Sequence, residues 1–242
     1  MNEKIKRLKE YIAAFDNIVL FGGAGVSTES GIPDFRSADG LYCQQYKYPP
    51  EYMLSHTCFM AHTEEFFAFY RDKMLPPPAV KPNAAHRYLA YLEEQGKLKA
   101  VITQNIDGLH QAAGSKNVIE LHGSVWRNYC MRCGKYYETD LNKKGVPRCS
   151  CGGIIKPDVV LYEENLDNEV LEKAIDYISR ADMLIIGGTS LVVYPAAGLV
   201  RYFNGDKLVI INKSTTCYDT SADLVIDSGI ANVFESVWHD NG

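Results

Sequence analysis

Four of the seven cysteines stand in two close pairs, which is the clearest chemical signal in the sequence. Cys130 and Cys133 form a Cys-x2-Cys pair, and Cys149 and Cys151 form a Cys-x-Cys pair. Two such pairs on tight turns can surround one tetrahedral Zn2+, and four protein ligands leave no position for a reactive water. The spacing therefore predicts a structural zinc. A nucleic-acid-binding zinc ribbon is the alternative, although the surrounding lysines and arginines form no stripe.

A second group of reactive side chains follows two apolar runs. Gln104-Asn105-Ile106-Asp107 comes directly after Ala100–Thr103, and His122 comes after Val118–Leu121. Asn-x-Asp-Gly also makes a serviceable turn, and a single histidine is more often structural than catalytic. However, open α/β sheets bind ligands at the carboxyl ends of their strands. An imidazole that titrates near neutrality is suited to act there as a general base.

Residues 23–36, GAGVSTESGIPDFR, follow the apolar run Ile18–Phe21. Glycines let the chain bend close to a ligand, although a glycine pair alone is equally consistent with a plain turn. Ser27, Thr28 and Glu29 are typical of the first turn of a helix, whose free N–H groups would bind phosphate. The segment from Gly31 onward cannot continue a helix, so we expect a mobile loop over the ligand.

Two further strand ends carry polar residues. Gly187-Gly188-Thr189-Ser190 follows the apolar run Met183–Ile186, and Asn212 follows Leu208–Ile211. The first is a second turn of glycines and hydroxyls that could face phosphate or ribose. Asn212 could bond ribose hydroxyls.

The elements that must position these residues alternate between strand and helix. Five short runs rich in Val and Ile predict strands that are buried on both faces, ending with Leu224–Ile226. Helical periodicity occupies Asn83–Gln95, with Asn83 as a cap, and Asn168–Ser179. The pattern predicts an α/β fold with a Rossmann-like, doubly wound parallel sheet.

Two segments interrupt the alternation, an aromatic, helical insertion at 38–80 and a polar, cysteine-containing insertion at 123–156. We expect them to form a smaller domain, the second as a zinc-binding ribbon. The Rossmann-like sheet domain would then comprise 1–37, 81–122 and 157–242. A ligand should bind in the crevice between the two domains.

Composition narrows the class of protein. The net charge of −5 and the absence of a long basic run argue against nucleic-acid binding. No stretch is long and apolar enough to span a membrane. Residues 1–15 are typical of an amphipathic helix and not of a secretory signal. With an odd number of cysteines and no disulfide pattern, we expect a cytoplasmic protein.

Taken together and in this order, the motifs resemble those of the sirtuins in their bacterial form, a family of NAD-dependent protein-lysine deacylases. The motifs are GAG…GIPDFR, QNID, HG, the paired cysteines, GTS and the later Asn. The resemblance covers nearly the whole chain. It implies an NAD-binding crevice and one structural Zn2+. It also implies an acyl-lysine protein as substrate, and we expect a monomer that binds neither nucleic acid nor membrane.

The resemblance assigns NAD contacts to residues of several separate segments. It places the pyrophosphate at Ala24, Gly25 and Thr28, the mobile loop at Phe35 and Arg36, the nicotinamide ribose at Gln104 and Asn105, the carboxamide at Ile106 and Asp107, and the adenosine end at Thr189, Ser190, Asn212 and Ile230. Gly23, Gly188 and Lys213 complete the expected contacts, and His122 and Asn105 are the expected catalytic residues.

The implied reaction cleaves the cofactor. The acyl-lysine carbonyl oxygen attacks C1′ of the ribose and releases nicotinamide. His122 then removes a proton from the ribose diol, and water completes the release of lysine and O-acetyl-ADP-ribose. The substrate would enter as a strand between two runs, each of which could equally be a core strand. These runs are Val159, Val160, Leu161 and Tyr162 on one side, and Val192, Val193 and Tyr194 on the other.

The chain departs from the family pattern at three places. Gly22 replaces a frequent Thr or Ser, which should matter little. Glu163-Glu164 replaces Gly-Glu, and we hypothesise that these acids favour basic residues near the lysine. Desuccinylases of the family carry Tyr-x-x-Arg, and here Ala68 aligns with the tyrosine while Arg71 is retained. This difference predicts removal of acetyl or longer neutral groups over succinyl or malonyl.

Two other classes of function are compatible with parts of the sequence. A Rossmann dehydrogenase would show G-x-G-x-x-G and an acidic residue about 20 positions later. Neither is present. A non-catalytic NAD- or zinc-dependent interaction domain would have no need of His122 together with Asn105 and Asp107.

Overall fold

The computed structural model describes residues 2–35, 40, 48–141 and 144–239. Its main feature is a six-stranded parallel sheet in the order β3-β2-β1-β7-β8-β9. The strands are β1 (Ile18–Gly22), β2 (Leu98–Thr103), β3 (Val118–Glu120), β7 (Met183–Gly187), β8 (Lys207–Asn212) and β9 (Leu224–Asp227). The five predicted strand runs and the further apolar run Val118–Leu121 therefore all contribute strands to one sheet, and the predicted fold class is confirmed.

The central strands are apolar on both faces because helices cover both sides of the sheet. Every residue of β1 and β7 is buried. One face packs against α1 (Asn2–Ala14), α5 (Ala84–Glu94) and α8 (Ile230–His239). The other face packs against α7 (Asn168–Arg180) and a 3-10 helix at Ala196–Tyr202. The predicted helices α1, α5 and α7 thus contribute to the two hydrophobic cores, together with α8 and the 3-10 helix, which were not predicted.

The smaller part of the molecule combines three short helices with an antiparallel ribbon. The helices are α2 (Pro50–Met53), α3 (His56–Ala61) and α4 (Thr63–Lys73). The ribbon has the order β5-β4-β6, formed by β5 (Tyr136–Glu138), β4 (Gly123–Cys130) and β6 (Ile155–Val159). An aromatic cluster joins these helices to the ribbon by packing on Val125 of β4, and it consists of Phe59, Phe66, Phe67 and Tyr70.

The sequence-based domain boundaries stay predictions. Strand β6 crosses the expected boundary between residues 156 and 157, and its pairs, from Ile155 with Cys130 to Val159 with Gly123, are all with β4 of the ribbon. The expected boundary therefore falls inside a strand of the ribbon.

The order in which the chain adds strands to the sheet reverses next to β1. From β1 the chain continues to β2 on one side and reaches β7 on the other. Open α/β sheets bind ligands at the carboxyl ends of the two strands that flank such a switch point. Among the described helices, none has both the length and the apolar character needed to cross a bilayer.

Candidate active site and metal centre

The loops that follow β1 and β7 pack against each other. The Gly25 N–H donates to the Gly188 carbonyl at 2.8 Å, and the Gly23 N–H donates to the Gly187 carbonyl. A Cβ on Gly25 would stand 2.7 Å from Gly188 Cα, and one on Gly23 would stand 2.8 Å from Thr189 Cβ. The close approach of two main chains therefore explains these glycines, whether or not a ligand also needs them.

The segment after Gly23 differs from the helix start that the sequence predicts. Ala24–Val26 and Thr28–Ser30 form two 3-10 turns, which Gly31 ends with a left-handed φ of 92°. Ser27 does not cap them, since its hydroxyl is used elsewhere, and Glu29 Oε2 instead accepts the Ala231 N–H at the start of α8. Side-chain contacts with distant elements decide this local structure.

The Ser27 hydroxyl belongs to a buried polar network. Ser27 Oγ donates to Asp107 Oδ2 at 2.7 Å, and Asn105 Nδ2 donates to Ser27 Oγ at 3.0 Å. Asp107 Oδ1 accepts the Leu109 N–H. Burial raises the pKa of Asp107, although the bonds from Ser27 and Leu109 oppose the shift. Ser27 thus ties the glycine-rich loop to the polar segment after β2.

Gln104 links three parts of the crevice. Its N–H donates to the Gly22 carbonyl at 3.0 Å, and its Nε2 donates to Thr189 Oγ1 at 3.0 Å. Its carbonyl oxygen lies 2.9 Å from His122 Nδ1. The ends of β1 and β2, the loop after β7 and His122 are therefore held together through one residue.

The contact with Gln104 fixes the tautomer of His122. A carbonyl oxygen can only accept, so Nδ1 carries the proton and the neutral ring has its lone pair on Nε2. Burial lowers the pKa of His122, and the bond to Gln104 opposes the shift. The imidazole is therefore neutral at pH 7 and able to take a proton at Nε2.

The other residues that were expected to contact the cofactor differ in their burial and in their neighbours. Asn212 Nδ2 donates to the Thr189 carbonyl at 3.0 Å and reaches the loop after β7. Ile230 is buried, and its Cδ1 would be 2.2 Å from a Cβ on Gly187. Ser190 and Lys213 are exposed. Phe35 packs on the aromatic cluster of the smaller part together with Ile106, and Arg36 lies outside the described residues.

The two expected substrate-pairing runs differ in exposure. Val192 and Tyr194 are 55% and 74% exposed. In the other run Val159 and Leu161 are buried and pack with the aromatic cluster, so only part of it faces solvent. The Tyr162 N–H donates to the Leu54 carbonyl, and its carbonyl accepts the His56 N–H. One side of this run is therefore already paired within the chain.

The four cysteines converge at one end of the ribbon. Their Sγ atoms all lie within 4.8 Å of one another. The separations Cys130–Cys151, Cys133–Cys151 and Cys133–Cys149 are 3.4, 3.5 and 3.6 Å. Tetrahedral Zn–S bonds of about 2.3 Å place sulfurs about 3.8 Å apart, so the cluster fits a structural zinc. Tyr137 Oη donates to Cys149 Sγ at 3.0 Å and would orient that ligand.

Sequence reasoning missed three residues that shape the site. It treated Ser27 only as part of a helix start, whereas the hydroxyl joins Asp107 and Asn105. Trp126 Nε1 donates to the Asp107 carbonyl at 2.7 Å. Asn83 was expected only as a helix cap, yet its Nδ2 also donates to the Val26 carbonyl at 2.8 Å. Only the spacing of Ser27 within the glycine motif could have signalled any of these contacts.

Comparison with known proteins supports the same identification. The model of the Sir2 family matches residues 23–195. An NAD-dependent protein deacetylase of Clostridium acetobutylicum is 62% identical over 241 residues, covering 97% of this chain and 98% of the relative. One of Clostridium perfringens is 61% identical over 243 residues, with 98% and 99% covered.

Solved structures agree with these relatives. One described as "Structural Basis for the Mechanism and Regulation of Sir2 Enzymes" has a TM-score of 0.89 and 39% identity, covering 99% of this chain and 98% of the other. Another, "Sir2-p53 peptide-NAD+", has a TM-score of 0.86 and 42% identity, with 98% of each chain covered. The motifs, the fold and these matches agree over almost the full length, and the chain belongs to the Sir2 (sirtuin) family.

Proposed function

We propose that this protein is an NAD-dependent protein deacetylase that removes acetyl groups from lysine side chains. The observation that carries the proposal is the fixed tautomer of His122, whose Nδ1–H is held by Gln104 at the switch point of the sheet. A binding module has no use for a neutral, oriented base at that position. The relatives of 61% and 62% identity are named for the same activity.

NAD would bind across the interlocked loops after β1 and β7, and bound NAD supplies the ribose carbon and the nicotinamide leaving group. The residues that would hold it are those predicted from the sequence: Gly23, Ala24, Gly25, Thr28, Phe35, Arg36, Gln104, Asn105, Ile106, Asp107, His122, Gly188, Thr189, Ser190, Asn212, Lys213 and Ile230. Asn105 and Asp107, joined through Ser27, present a rigid polar surface. His122 Nε2 would take the proton from a ribose hydroxyl.

The substrate would be an acetylated protein segment bound as a strand. A solved relative described as "Sir2 bound to acetylated peptide" has 41% identity to this chain. Tyr162 pairs with Leu54 and His56, and the Val160 N–H donates to the His122 carbonyl, so an incoming strand would use other main-chain groups of that run. Val192 and Tyr194 would contact it from the opposite wall. We further propose a cytoplasmic monomer that acts without nucleic acid or membrane.

The acyl group would be neutral. Ala68 is exposed on α4 and has no hydroxyl to offer a carboxylate. Arg71 Nη2 donates to the Gly145 carbonyl, and its guanidinium stacks over the Phe67 ring at 5.2 Å. These contacts support acetyl over succinyl, and a higher kcat/KM for succinyl-lysine than for acetyl-lysine peptides would contradict the preference.

The test is release of nicotinamide from NAD in the presence of an acetyl-lysine peptide. We expect release only when both substrates are present, and near-complete loss of turnover in His122→Ala. His239→Ala is the matched control, because His239 is exposed at the end of α8 and should leave turnover unchanged. Full activity of His122→Ala would overturn the assignment of the base.

A further inference from the structure

The segment that follows β6 carries two neighbouring carboxylates whose role the sequence leaves open. The hypothesis that Glu163 and Glu164 attract basic substrate residues requires carboxylates that face an incoming peptide. Glu163 Oε2 instead accepts bonds from Thr57 N at 2.9 Å and Thr57 Oγ1 at 2.7 Å. Glu164 is engaged still more completely, which argues against that hypothesis.

Three groups donate to the Glu164 carboxylate. Oε2 accepts from Lys156 Nζ at 3.0 Å and from the Leu161 N–H at 2.9 Å. Oε1 lies 2.9 Å from His56 Nδ1. The side chains of Glu164 and Lys156 are only 20% and 18% exposed. Charge-assisted bonds to partly buried groups are stronger than exposed ion pairs, so these three contacts stabilise the local structure around Glu164.

The donors come from both sides of the expected substrate-pairing run. Lys156 lies in β6 before the run, and its Nζ also donates to the Val159 carbonyl at 2.8 Å. His56 begins α3, and its N–H donates to the Tyr162 carbonyl. Glu164 itself closes a turn, with its N–H on the Leu161 carbonyl. The carboxylate therefore bonds the main chain directly at Leu161, and its partners Lys156 and His56 bond the carbonyls of Val159 and Tyr162.

We propose that Glu164 is a positioning residue that holds residues 159–162 in the conformation that pairs with the substrate peptide. The inference rests on the proposed function, because it takes this run as one wall of the peptide site. Lys156 and His56 act with it by tying the carboxylate to β6 and α3. The run is then already ordered before the peptide arrives, so peptide binding does not bear the entropic cost of ordering it.

The decisive experiment compares Glu164→Gln with wild type. We expect the Kd of a fluorescein-labelled acetyl-lysine peptide, measured by anisotropy, to rise about tenfold, as loss of one charge-assisted bond network implies. KM for the peptide should rise with it, while kcat and the Kd of NAD stay within about twofold. Glu169→Gln, an exposed acid at the start of α7, is the control and should change nothing.

Three results would overturn the inference. An unchanged peptide Kd would mean that the run is ordered without Glu164. A lower Kd would mean that the carboxylate competes with the peptide for the Leu161 N–H. A parallel loss of NAD affinity would indicate a general structural role.

A second variant covers the case in which Glu164→Gln fails to fold. Lys156→Met keeps the length of the side chain but removes its bonds to Val159 and Glu164, so peptide Kd should again rise selectively. An unchanged Kd in this variant would count against the inference. If wild type binds the labelled peptide but releases no nicotinamide, the proposed function fails, whereas the binding comparison still decides the role of Glu164.

Discussion

At the scale of single residues, Gln104 does most to organise the crevice. Its main chain continues the pairing of β2 with β1, its side chain reaches Thr189, and its carbonyl orients His122. Ser27 has a matching role between Asp107 and Asn105. Neither residue is a general base, yet the two set the geometry in which His122 and Asn105 act.

The protonation of His122 leads to a prediction about pH. A base must be neutral to act, and burial lowers the pKa of His122 from its ordinary value of 6.5. The acid limb of kcat/KM should therefore fall below pH 6.5, with full activity through neutral pH. A pH series of nicotinamide release checks this, and an acid limb centred above pH 7 would contradict it.

At the scale of elements, helix α5 does more than cover the sheet. Asn83 caps it by accepting the Ala85 N–H at 2.9 Å, and its Nδ2 binds the Val26 carbonyl in the glycine-rich loop. The N-terminus of a core helix is thus tied to the expected pyrophosphate loop. Helix α7 has a cap of the same kind in Asp167, whose side chain accepts the Val170 N–H and makes no bond to the crevice among the described residues.

This pair of caps gives a matched experiment. Asn83→Ala and Asp167→Ala should each lower the free energy of unfolding by about 1 kcal/mol, because each removes a helix cap. Only Asn83→Ala should also raise the Kd of NAD severalfold, since only it frees the loop at Val26. Urea unfolding and calorimetric NAD titration measure the two effects. Equal NAD affinity in both variants would show that the tether to Val26 does not matter.

At the scale of the whole molecule, two separate clusters of side chains stabilise the smaller part. The aromatic cluster joins α4 to β4 and β6, whereas the cysteine cluster orders the far end of the ribbon. Among the described residues, the buried centre of that end consists of Cys130, Cys149 and Ile155. So small a core cannot stabilise a ribbon by itself, which makes the metal essential there.

Loss of the metal should therefore unfold the ribbon end. Zinc binding contributes about 10–16 kcal/mol, comparable to the stability of a whole domain. We expect Cys133→Ala to lose zinc and catalytic activity; Cys133 is exposed, so the change leaves no buried cavity. Cys217→Ala, at an exposed thiol outside the cluster, is the control. Metal analysis and thermal unfolding decide, and full zinc content in Cys133→Ala would refute the site.

A buried histidine pair should make the fold sensitive to acid. His86 of α5 and His110 lie edge to face with ring centroids 4.7 Å apart, and both are buried. Burial lowers the pKa of His86 to about 4, with a further contribution from the charge of Arg87, and burial lowers the pKa of His110 well below 6.5, with a further contribution from His86. The unfolded chain therefore binds protons first as the pH falls.

Stability should accordingly be complete above pH 6.5 and decline from there to about pH 4, with His86 alone contributing a loss of about 3 kcal/mol. His110→Leu removes one titrating ring and its two unpaired nitrogens, so the decline should become shallower. Urea unfolding at several pH values measures the slope. An equal slope in wild type and His110→Leu would exclude the pair as its source.

The sequence by itself determined the sheet, its covering helices, the zinc ligands and the family. Strand runs such as Met183–Ile186 are apolar on both faces, and helices such as α5 carry a cap and a periodic apolar face, so local pattern and burial agree. The zinc ligands can likewise be predicted from local sequence, because the two cysteines of each pair are only two or three positions apart in the chain. The grouping of the strand-end motifs at one site could also be predicted, because parallel strands have their carboxyl ends at a common edge of the sheet.

Tertiary structure alone decided how those motifs are used. The helix start expected after Gly23 became two 3-10 turns because Ser27 bonds Asp107 and Glu29 bonds the start of α8, both far away in sequence. Glu163 and Glu164 look like a charged surface in the sequence, yet they bind Thr57, Lys156 and His56. Whether a polar side chain meets solvent, a ligand or a distant donor depends on packing between elements, which no local pattern contains.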